Sequence, residues 1–329
     1  MNIFQLKNPS ASDVVMNRLK YMDRFSRTLI RPAALSSDEE QWCSDLKKNG
    51  HCMISNLISK EELSALQSDI DIRIRLHEYE TPCLSQVKID QSNPNHSKII
   101  DKYFAVKNDV LESAGLTFDT PDVQSLTYEE MLERFKPSTL KLGIPSSDKR
   151  YFDVWLHPTI LRIVEEYMGM RPYCVEAYIR RNFPAQFPVM NHNWHRDTNH
   201  RFYVLKLFVF FSDCTIETGP HQYVEGSHRE FDINGKKYYS EAEVDAYVAT
   251  RHRSVITSEV KAGTVIIEDT RGLHRAVIPR IGIRDMGYSV FVPLTISSSR
   301  KFSDYKCSVD VYRTLSRFQQ SFIPSKSFN

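Results

Sequence analysis

The second half of the sequence contains four runs in which β-branched and aromatic residues dominate. These runs are YCVEAYIRR (173–181), FYVLKLFVFF (202–211), TVIIED (264–269) and GYSVFVPLT (287–295). Short apolar runs separated by glycine, proline and asparagine turns predict buried β-strands. The first half lacks this pattern, so we expect the main sheets to be built from residue 173 onward.

Helix signals dominate the first half. Capping boxes, in which a serine or threonine precedes a glutamate by three residues, mark helix starts. They occur at Ser37–Glu40, Ser59–Glu62, Thr127–Glu130 and, within the strand-rich half, Ser240–Glu243. The four predicted helices end at Gly50, near residue 75, before Pro137 and near residue 249. A further helix is predicted from Pro158 to Gly169, and HCMISN (51–56) is predicted to be a short strand.

Helices followed by strands favour a mainly β domain, a sandwich or barrel with flanking helices packed outside it. We interpret residues 1–36 as an N-terminal extension and 37–329 as a single domain whose helical part covers 37–170. The charged and aromatic segment 229–253 would be inserted between strands. Two interpretations of it remain open, a lid or oligomer contact and a solvated surface excursion.

Composition narrows the class of protein further. The chain has 329 residues, a net charge of +2 and 41% hydrophobic residues, which is ordinary for a globular protein and indicates neither a nucleic-acid partner nor a membrane partner. No apolar run is long enough to predict a membrane span. The six cysteines are scattered without a CxxC motif, which favours reduced thiols and a cytoplasmic location. The sequence does not indicate the oligomeric state.

The residues with the clearest chemical potential are His195, Asp197 and His274. In a strand, residues i and i+2 share a face, so His195 and Asp197 would both point inward, with Arg196 pointing away. His274 follows a buried strand and would add a second imidazole. Two histidines and one carboxylate form the facial triad of non-haem Fe(II) oxygenases, which leaves positions open for O2 and a 2-oxo acid. Three rival histidines, His192, His200 and His228, are interpreted as loop or surface residues.

Two basic residues complete this interpretation. Arg284, ten residues after His274, could bind the distal carboxylate of a cosubstrate in bidentate fashion, and Arg280 is its direct competitor. Lys206 interrupts the apolar run LKLFVFF. It would either face water or reach a carboxylate in the site, and the sequence does not decide between these alternatives.

The long stretch WHRDTNHRFYVLKLFVFFSDCTIETGPHQYVEGSHR, followed by GTVIIEDTRGLHRA and Arg284, resembles the phytanoyl-CoA dioxygenase (PhyH-like) family of Fe(II)/2-oxoglutarate-dependent oxygenases. The segment LKKNGHCMISNLISKEELSALQ is also similar to that family's first helix–strand–helix unit. The resemblance covers roughly residues 37–295. It implies a double-stranded β-helix (jelly roll, cupin-like) core at about 173–295, followed by a C-terminal tail.

The resemblance also assigns roles by position. It implies iron ligation by His195, Asp197 and His274, and 2-oxoglutarate bound to Arg284. Some relatives carry a serine where this chain has Ala276, so another hydroxyl, Tyr288 or Tyr203, would have to contact the cosubstrate. Related halogenases lack the carboxylate ligand. Because this chain keeps Asp197, hydroxylation or another oxidation is expected.

The sequence therefore predicts an Fe(II)/2-oxoglutarate-dependent dioxygenase that oxidises a small polar molecule and releases succinate and CO2. The residues proposed to contact the substrate are Tyr178, Arg180, Asn193, Trp194 and Arg271. Two alternatives stay open. One is a non-catalytic jelly-roll module that binds a small ligand. The other is a metal-dependent enzyme that needs no 2-oxoglutarate, such as a cupin-like isomerase.

Overall fold

The computed structural model describes residues 34–79, 83–84, 125–135, 137–184, 190–197, 204–230, 235–292 and 305–328. The α-helices in these segments are α1 Ser37–Asn49, α2 Lys60–Arg75, α3 Tyr128–Phe135, α4 Lys149–Trp155, α5 Pro158–Met168, α6 Glu241–Arg251, α7 Val309–Thr314 and α8 Arg317–Gln320. Short 3-10 turns cover Met190–His192, Ser227–Glu230 and Ser325–Ser327. Most of the predicted N-terminal extension and most of 80–125 lie outside the described residues.

The predicted capping boxes form, with one correction. The box of α1 is Ser36–Glu39 rather than Ser37–Glu40: the Ser36 hydroxyl accepts from the Glu39 amide at 3.3 Å, and the Glu39 carboxylate accepts from the Ser36 amide at 3.0 Å. Glu39 is buried, and Arg162 of α5 donates to the same carboxylate. The capping box therefore uses Glu39, which also binds Arg162 of α5. The local sequence pattern does not reveal this contact between helices.

Twelve strands in the described segments form two sheets whose neighbouring strands are all antiparallel. They are β1 His51–Ile54, β2 Cys83–Leu84, β3 Pro137–Gly143, β4 Tyr173–Asn182, β5 Trp194–His195, β6 Leu205–Phe210, β7 His221–Val224, β8 Tyr238–Tyr239, β9 Val255–Ser258, β10 Val265–Asp269, β11 His274–Ala276 and β12 Arg284–Val292. The major sheet has the order β1-β10-β6-β12-β4-β3-β2, and the minor sheet has the order β8-β5-β11-β7-β9. This is a jelly-roll core with flanking helices, which confirms the predicted fold class.

The strands alternate between two environments. On β12, Met286, Tyr288 and Val290 belong to an apolar cluster between the sheets, whereas Phe291 joins the larger core under the helices. This is the alternation expected for a sheet that is covered on both faces. Trp155 of α4 seals the outer face because its indole N–H donates to the Tyr288 carbonyl at 3.0 Å.

Helix α6 and strand β8 come from the inserted segment 229–253. Val244 of α6 packs with Trp194 and Leu273 on the outer side of the minor sheet, and β8 extends that sheet by pairing with β5. Residues 231–234 lie outside the described part. The described portion of the insertion therefore extends the minor sheet through β8 and packs on it through Val244, while most of α6 faces solvent.

The described residues bear on two predictions made from composition, the absence of a membrane span and the reduced state of the cysteines. No helix in the described segments is both long and apolar enough to cross a bilayer. The cysteines with described side chains, Cys43, Cys52, Cys174, Cys214 and Cys307, are all buried and carry free thiols.

Candidate metal centre

His195, Asp197 and His274 converge between the two sheets. One ligand atom from each lies within 4.8 Å of the others, and the two imidazole centroids are 4.1 Å apart. The convergence has a simple origin, because His195 and His274 are direct cross-strand partners of β5 and β11. Opposed residues of an antiparallel pair share a face, so the pairing aims both rings at the same point.

Asp197 reaches the same point by a route that differs from the prediction. Strand β5 ends at His195, so the i, i+2 alternation of a continuous strand does not place the carboxylate. Instead the Asp197 amide donates to the Thr270 carbonyl at 2.8 Å and the Arg196 amide donates to the Lys237 carbonyl at 2.9 Å. Arg196 points away from the cluster as predicted, but it is buried, and its guanidinium donates to the carbonyls of two neighbouring turns.

Backbone carbonyls fix the tautomer and the orientation of both imidazoles. The Nδ1 atom of His195 lies 2.8 Å from the Asn193 carbonyl, and Nδ1 of His274 lies 2.9 Å from the Gly272 carbonyl. A carbonyl only accepts, so each Nδ1 carries the proton and each Nε2 presents its lone pair to the cluster. Burial lowers the pKa of His195 to about 4 and holds the pKa of His274 well below its usual range, so both rings are neutral near pH 7.

Lys206 resolves the ambiguity that the sequence left open. Its ammonium lies 2.5 Å from Oδ2 of Asp197 and 5.4 Å from the centre of the Tyr288 ring, between the sheets. Burial disfavours ionisation of both partners. The opposite charge outweighs this, so that the pKa of Asp197 is lowered and the pKa of Lys206 is raised. The pair is therefore a buried ion pair inside the candidate site.

Arg284, rather than its competitor, lies in the interior. It begins β12, is 2% exposed and donates to Oδ1 of Asn182 at 3.3 Å, whereas Arg280 is exposed. His192 lies in the 3-10 turn before β5, as predicted for a loop residue, but it is buried rather than at the surface. Burial, and then the charges of Arg284 and Arg180, lower the pKa of His192 to about 3.

A pair of tyrosines forms the wall beside the metal cluster. Tyr178 of β4 and Tyr288 of β12 are stacked with ring centroids 4.6 Å apart. The guanidinium of Arg180 lies 4.9 Å from each ring centre, and the ammonium of Lys141 lies 4.5 Å from that of Tyr178. Cations over aromatic faces are held by the ring quadrupole, so this wall presents positive charge next to the candidate metal position.

Of the residues proposed to contact substrate, Trp194 and Arg271 point elsewhere, and Asn193 is exposed. Trp194 donates to Glu241 of α6 and packs on the outer side of the minor sheet. Arg271 forms an ion pair with Asp269, which also accepts from Tyr167 of α5. Asn193 is exposed and contributes its carbonyl to His195. Trp194 faces outward because side chains alternate along β5 and its neighbour His195 faces inward. Arg271 is held away by its ion pair with Asp269.

Of the remaining sequence-predicted residues, Tyr178, Arg180 and Tyr288 face the space between the sheets. Tyr203 and His200 lie outside the described residues. His228 lies in the turn Ser227–Glu230, as predicted for a loop residue, but it is buried beneath Gly50 rather than at the surface.

The sequence interpretation missed three residues near the cluster. His221 of β7 bonds to the buried Glu268 of β10 at 2.9 Å, and its ring lies 5.5 Å from that of His274. Tyr238 of the insertion is the cross-strand partner of His195, with ring centroids 6.3 Å apart. The sequence offered one signal for Glu268, which is a charged residue inside an apolar strand. The positions of His221 and Tyr238 follow only from the pairing of their strands, which the sequence does not show.

The donor set fits an iron ion. Two neutral imidazole nitrogens and one carboxylate, converging from one side, match the facial arrangement of non-haem Fe(II) sites. None of the described cysteines belongs to the cluster, so a zinc–thiolate or iron–sulfur site is not indicated.

No curated protein sequence matches this chain significantly. Solved structures with a similar fold include SnoN, a non-haem α-ketoglutarate-dependent epimerase of nogalamycin biosynthesis (12% identity, TM-score 0.50, covering 78% of this chain and 81% of SnoN). They also include the carbocyclase SnoK of the same pathway (15%, 0.47, 80% and 87%) and EctD of S. alaskensis with 2-oxoglutarate and 5-hydroxyectoine (15%, 0.48, 80% and 78%).

At these identities the structural likeness speaks for the fold alone. The sequence match is more specific: the profile of phytanoyl-CoA dioxygenase (PhyH) covers residues 46–277, which include all three residues of the metal cluster. The chain therefore belongs to the phytanoyl-CoA dioxygenase (PhyH) family of Fe(II)/2-oxoglutarate-dependent oxygenases.

Proposed function

We propose that this protein is an Fe(II)/2-oxoglutarate-dependent dioxygenase in which His195, Asp197 and His274 hold the iron. The observation that carries the proposal is the convergence of these three side chains, with both Nε2 lone pairs aimed inward by backbone carbonyls. When bound, the iron would activate O2, which is the oxidant: one oxygen atom would convert 2-oxoglutarate to succinate and CO2, and the other would go to the substrate. The chain itself supplies geometry, charge and exclusion of water.

Arg284 is proposed to bind the distal carboxylate of 2-oxoglutarate. Its guanidinium is buried and points into the same space as Tyr288, so a carboxylate there would be held with little competition from water. Ala276 offers no hydroxyl at the position where some relatives have serine. Tyr288, four residues along β12 from Arg284, is the described residue that we propose as its replacement. We also retain Tyr203 as a candidate.

The substrate is proposed to be a small polar molecule, with an anionic group as the favoured feature. Support comes from Arg180 and Lys141, which place two cations on the Tyr178–Tyr288 wall. Hydroxylation is the proposed outcome, because Asp197 keeps the ligand position that halogenating relatives vacate. No nucleic-acid or membrane partner is proposed. A cytoplasmic location is proposed from the free buried thiols.

One assay tests the class of reaction. Protein reconstituted with Fe(II) and 2-oxoglutarate without oxygen should develop a weak visible band, and admission of air should then produce succinate. His274→Ala should abolish both signals. His252→Asn is the matched control, because His252 is an exposed residue at the left-handed C-cap of α6, where asparagine is tolerated. It should behave as the native protein.

The alternatives give different results in the same assay. A ligand-binding module would form no succinate, and His274→Ala would bind its ligand unchanged. A cosubstrate-independent dioxygenase would consume oxygen without 2-oxoglutarate. A metal-dependent isomerase would form no succinate, and His274→Ala would abolish its metal binding. Each of these results would contradict the proposed function. Screening small polar and anionic metabolites for stimulation of succinate release would then identify the substrate class.

A further inference from the structure

Lys206 has an arrangement that the proposed chemistry does not yet explain. It is a charged residue on the interior face of β6, two residues before Phe208, and is opposed by Glu268 and Val290 on the flanking strands. Its side chain is 15% exposed. Burial of an ammonium at this depth is costly unless an anion stays within reach. In the structure that anion is Asp197, at 2.5 Å.

A divalent ion in the cluster changes the partner that Lys206 can have. Asp197 is the cluster's only carboxylate, so the ion would take its charge and would repel an ammonium a few ångströms away. Asp197 and Lys206 cancel each other's charge. A divalent ion together with the buried Arg284 leaves the set at +3, and a doubly charged 2-oxo dicarboxylate lowers it to +1. The charge balance therefore calls for an anionic ligand beside the metal.

The side chain of Lys206 can move from Asp197 to such a ligand. Its ammonium lies 5.4 Å from the centre of the Tyr288 ring at the end of a flexible stem, so it can shift by a few ångströms toward a second anion. Arg284 belongs to the other end of the interior face: it opens β12, whereas Lys206 is opposite Val290, six positions further along that strand. Six positions correspond to about 20 Å of backbone, so the two long side chains would have to extend toward each other to hold the two carboxylates of one cosubstrate.

We propose that Lys206 binds the metal-proximal carboxylate of 2-oxoglutarate, exchanging Asp197 for this carboxylate when the metal is bound. The inference rests on the proposed function and assigns a positioning role within it. It also predicts an order: the metal binds first against the opposition of Lys206, and the cosubstrate then gains the freed ammonium. Lys206 weakens metal binding alone and strengthens binding of the 2-oxo acid.

The test compares Lys206→Met with Arg284→Met, since both variants keep most of the apolar stem. Anaerobic Fe(II) protein is titrated with 2-oxoglutarate and with pyruvate, which has the 2-oxo acid group but no distal carboxylate, and the visible chelate band reports binding. Lys206→Met should weaken both ligands by a similar factor of tenfold or more. Arg284→Met should weaken 2-oxoglutarate alone. Calorimetry with Mn(II) in the absence of any 2-oxo acid should show roughly tenfold tighter metal binding to Lys206→Met.

Several results would overturn the inference. Unchanged affinity of Lys206→Met for both 2-oxo acids would limit the lysine to neutralising Asp197. Loss of 2-oxoglutarate binding with intact pyruvate binding would move its contact to the distal carboxylate. Absence of 2-oxoglutarate binding by the metal-loaded native protein would refute the proposed function together with this inference, and so is distinct from the first two results. Thermal unfolding of each variant verifies that it is folded.

Discussion

His228 makes acid sensitivity a quantitative test of the fold. The residue is 4% exposed and lies in the turn after β7, where its Nε2 is 3.3 Å from the Lys47 carbonyl. Because a carbonyl accepts, Nε2 carries the proton. The opposite nitrogen, Nδ1, is buried beneath Gly50 without a hydrogen-bond partner among the described residues. A second proton would therefore be placed where nothing described accepts it.

The resulting cost can be worked out from the pKa. Burial lowers the pKa of His228 from 6.5 to about 4. Between these values the unfolded chain holds more protons than the folded one, so the folded state loses stability as pH falls. At pH 5 the unfolded residue is about 97% protonated and the folded residue about 10%, which corresponds to a loss of ~2 kcal/mol relative to pH 8.

The perturbation is His228→Gln. Its side-chain amide can still donate to the Lys47 carbonyl, but it does not titrate. Urea unfolding of metal-free protein, measured from pH 8 to pH 5, should show the native protein losing ~2 kcal/mol more than the variant over this interval. Other buried histidines titrate in both proteins and cancel in the difference.

Parallel stability curves for native protein and His228→Gln would refute the argument. They would mean that Nδ1 finds an acceptor on protonation, or that the turn opens at little cost. An m-value that changes with pH in one protein only would indicate a different unfolding reaction, and the comparison would then be made by hydrogen exchange of the Ser227–Glu230 turn.

Three further predictions concern packing and charge. Gly272→Ala would place Cβ 2.0 Å from the Tyr223 hydroxyl, so we expect a loss of ~1–3 kcal/mol in denaturant unfolding and weaker Mn(II) binding, because the Gly272 carbonyl orients a ligand imidazole. Arg181→Met removes the two hydrogen bonds, of 2.8 and 2.7 Å, that Arg181 donates to the Asp285 carboxylate, and so leaves that buried charge without its partner. We expect it to cost ~3–5 kcal/mol without changing pyruvate affinity. Arg284→Lys keeps the charge but loses the fork, so 2-oxoglutarate should bind roughly tenfold more weakly by the chelate band while succinate formation persists at saturation; unchanged affinity would contradict the assigned contact.

Much of the fold was accessible from local signals. The capping boxes at Ser59 and Ser240 begin helices as predicted, and Pro158 and Gly169 bound α5. These signals are readable because they depend on residues within one turn of each other. Helix α4 and strand β3 were not predicted, since Lys149–Trp155 is only seven residues long and β3 begins at a proline. Their stability comes from tertiary contacts.

The convergence of His195, Asp197 and His274 was predicted correctly, but part of the reasoning behind that prediction was wrong. The sequence places His195 and Asp197 on one strand face, whereas the structure holds Asp197 beyond the strand by bonding to the turn before β11. Long-range pairing also decides the orientation of Lys206 and Trp194. A strand pattern gives alternation, but it does not say which face is inside when both faces are apolar. Only the partner strands supply that information.

The carbonyls of Asn193 and Gly272 each aim an imidazole from two residues upstream. The main chain thus fixes the tautomer and the ring orientation of both imidazoles. A substitution of a neighbouring side chain that leaves the backbone in place would therefore leave both contacts intact.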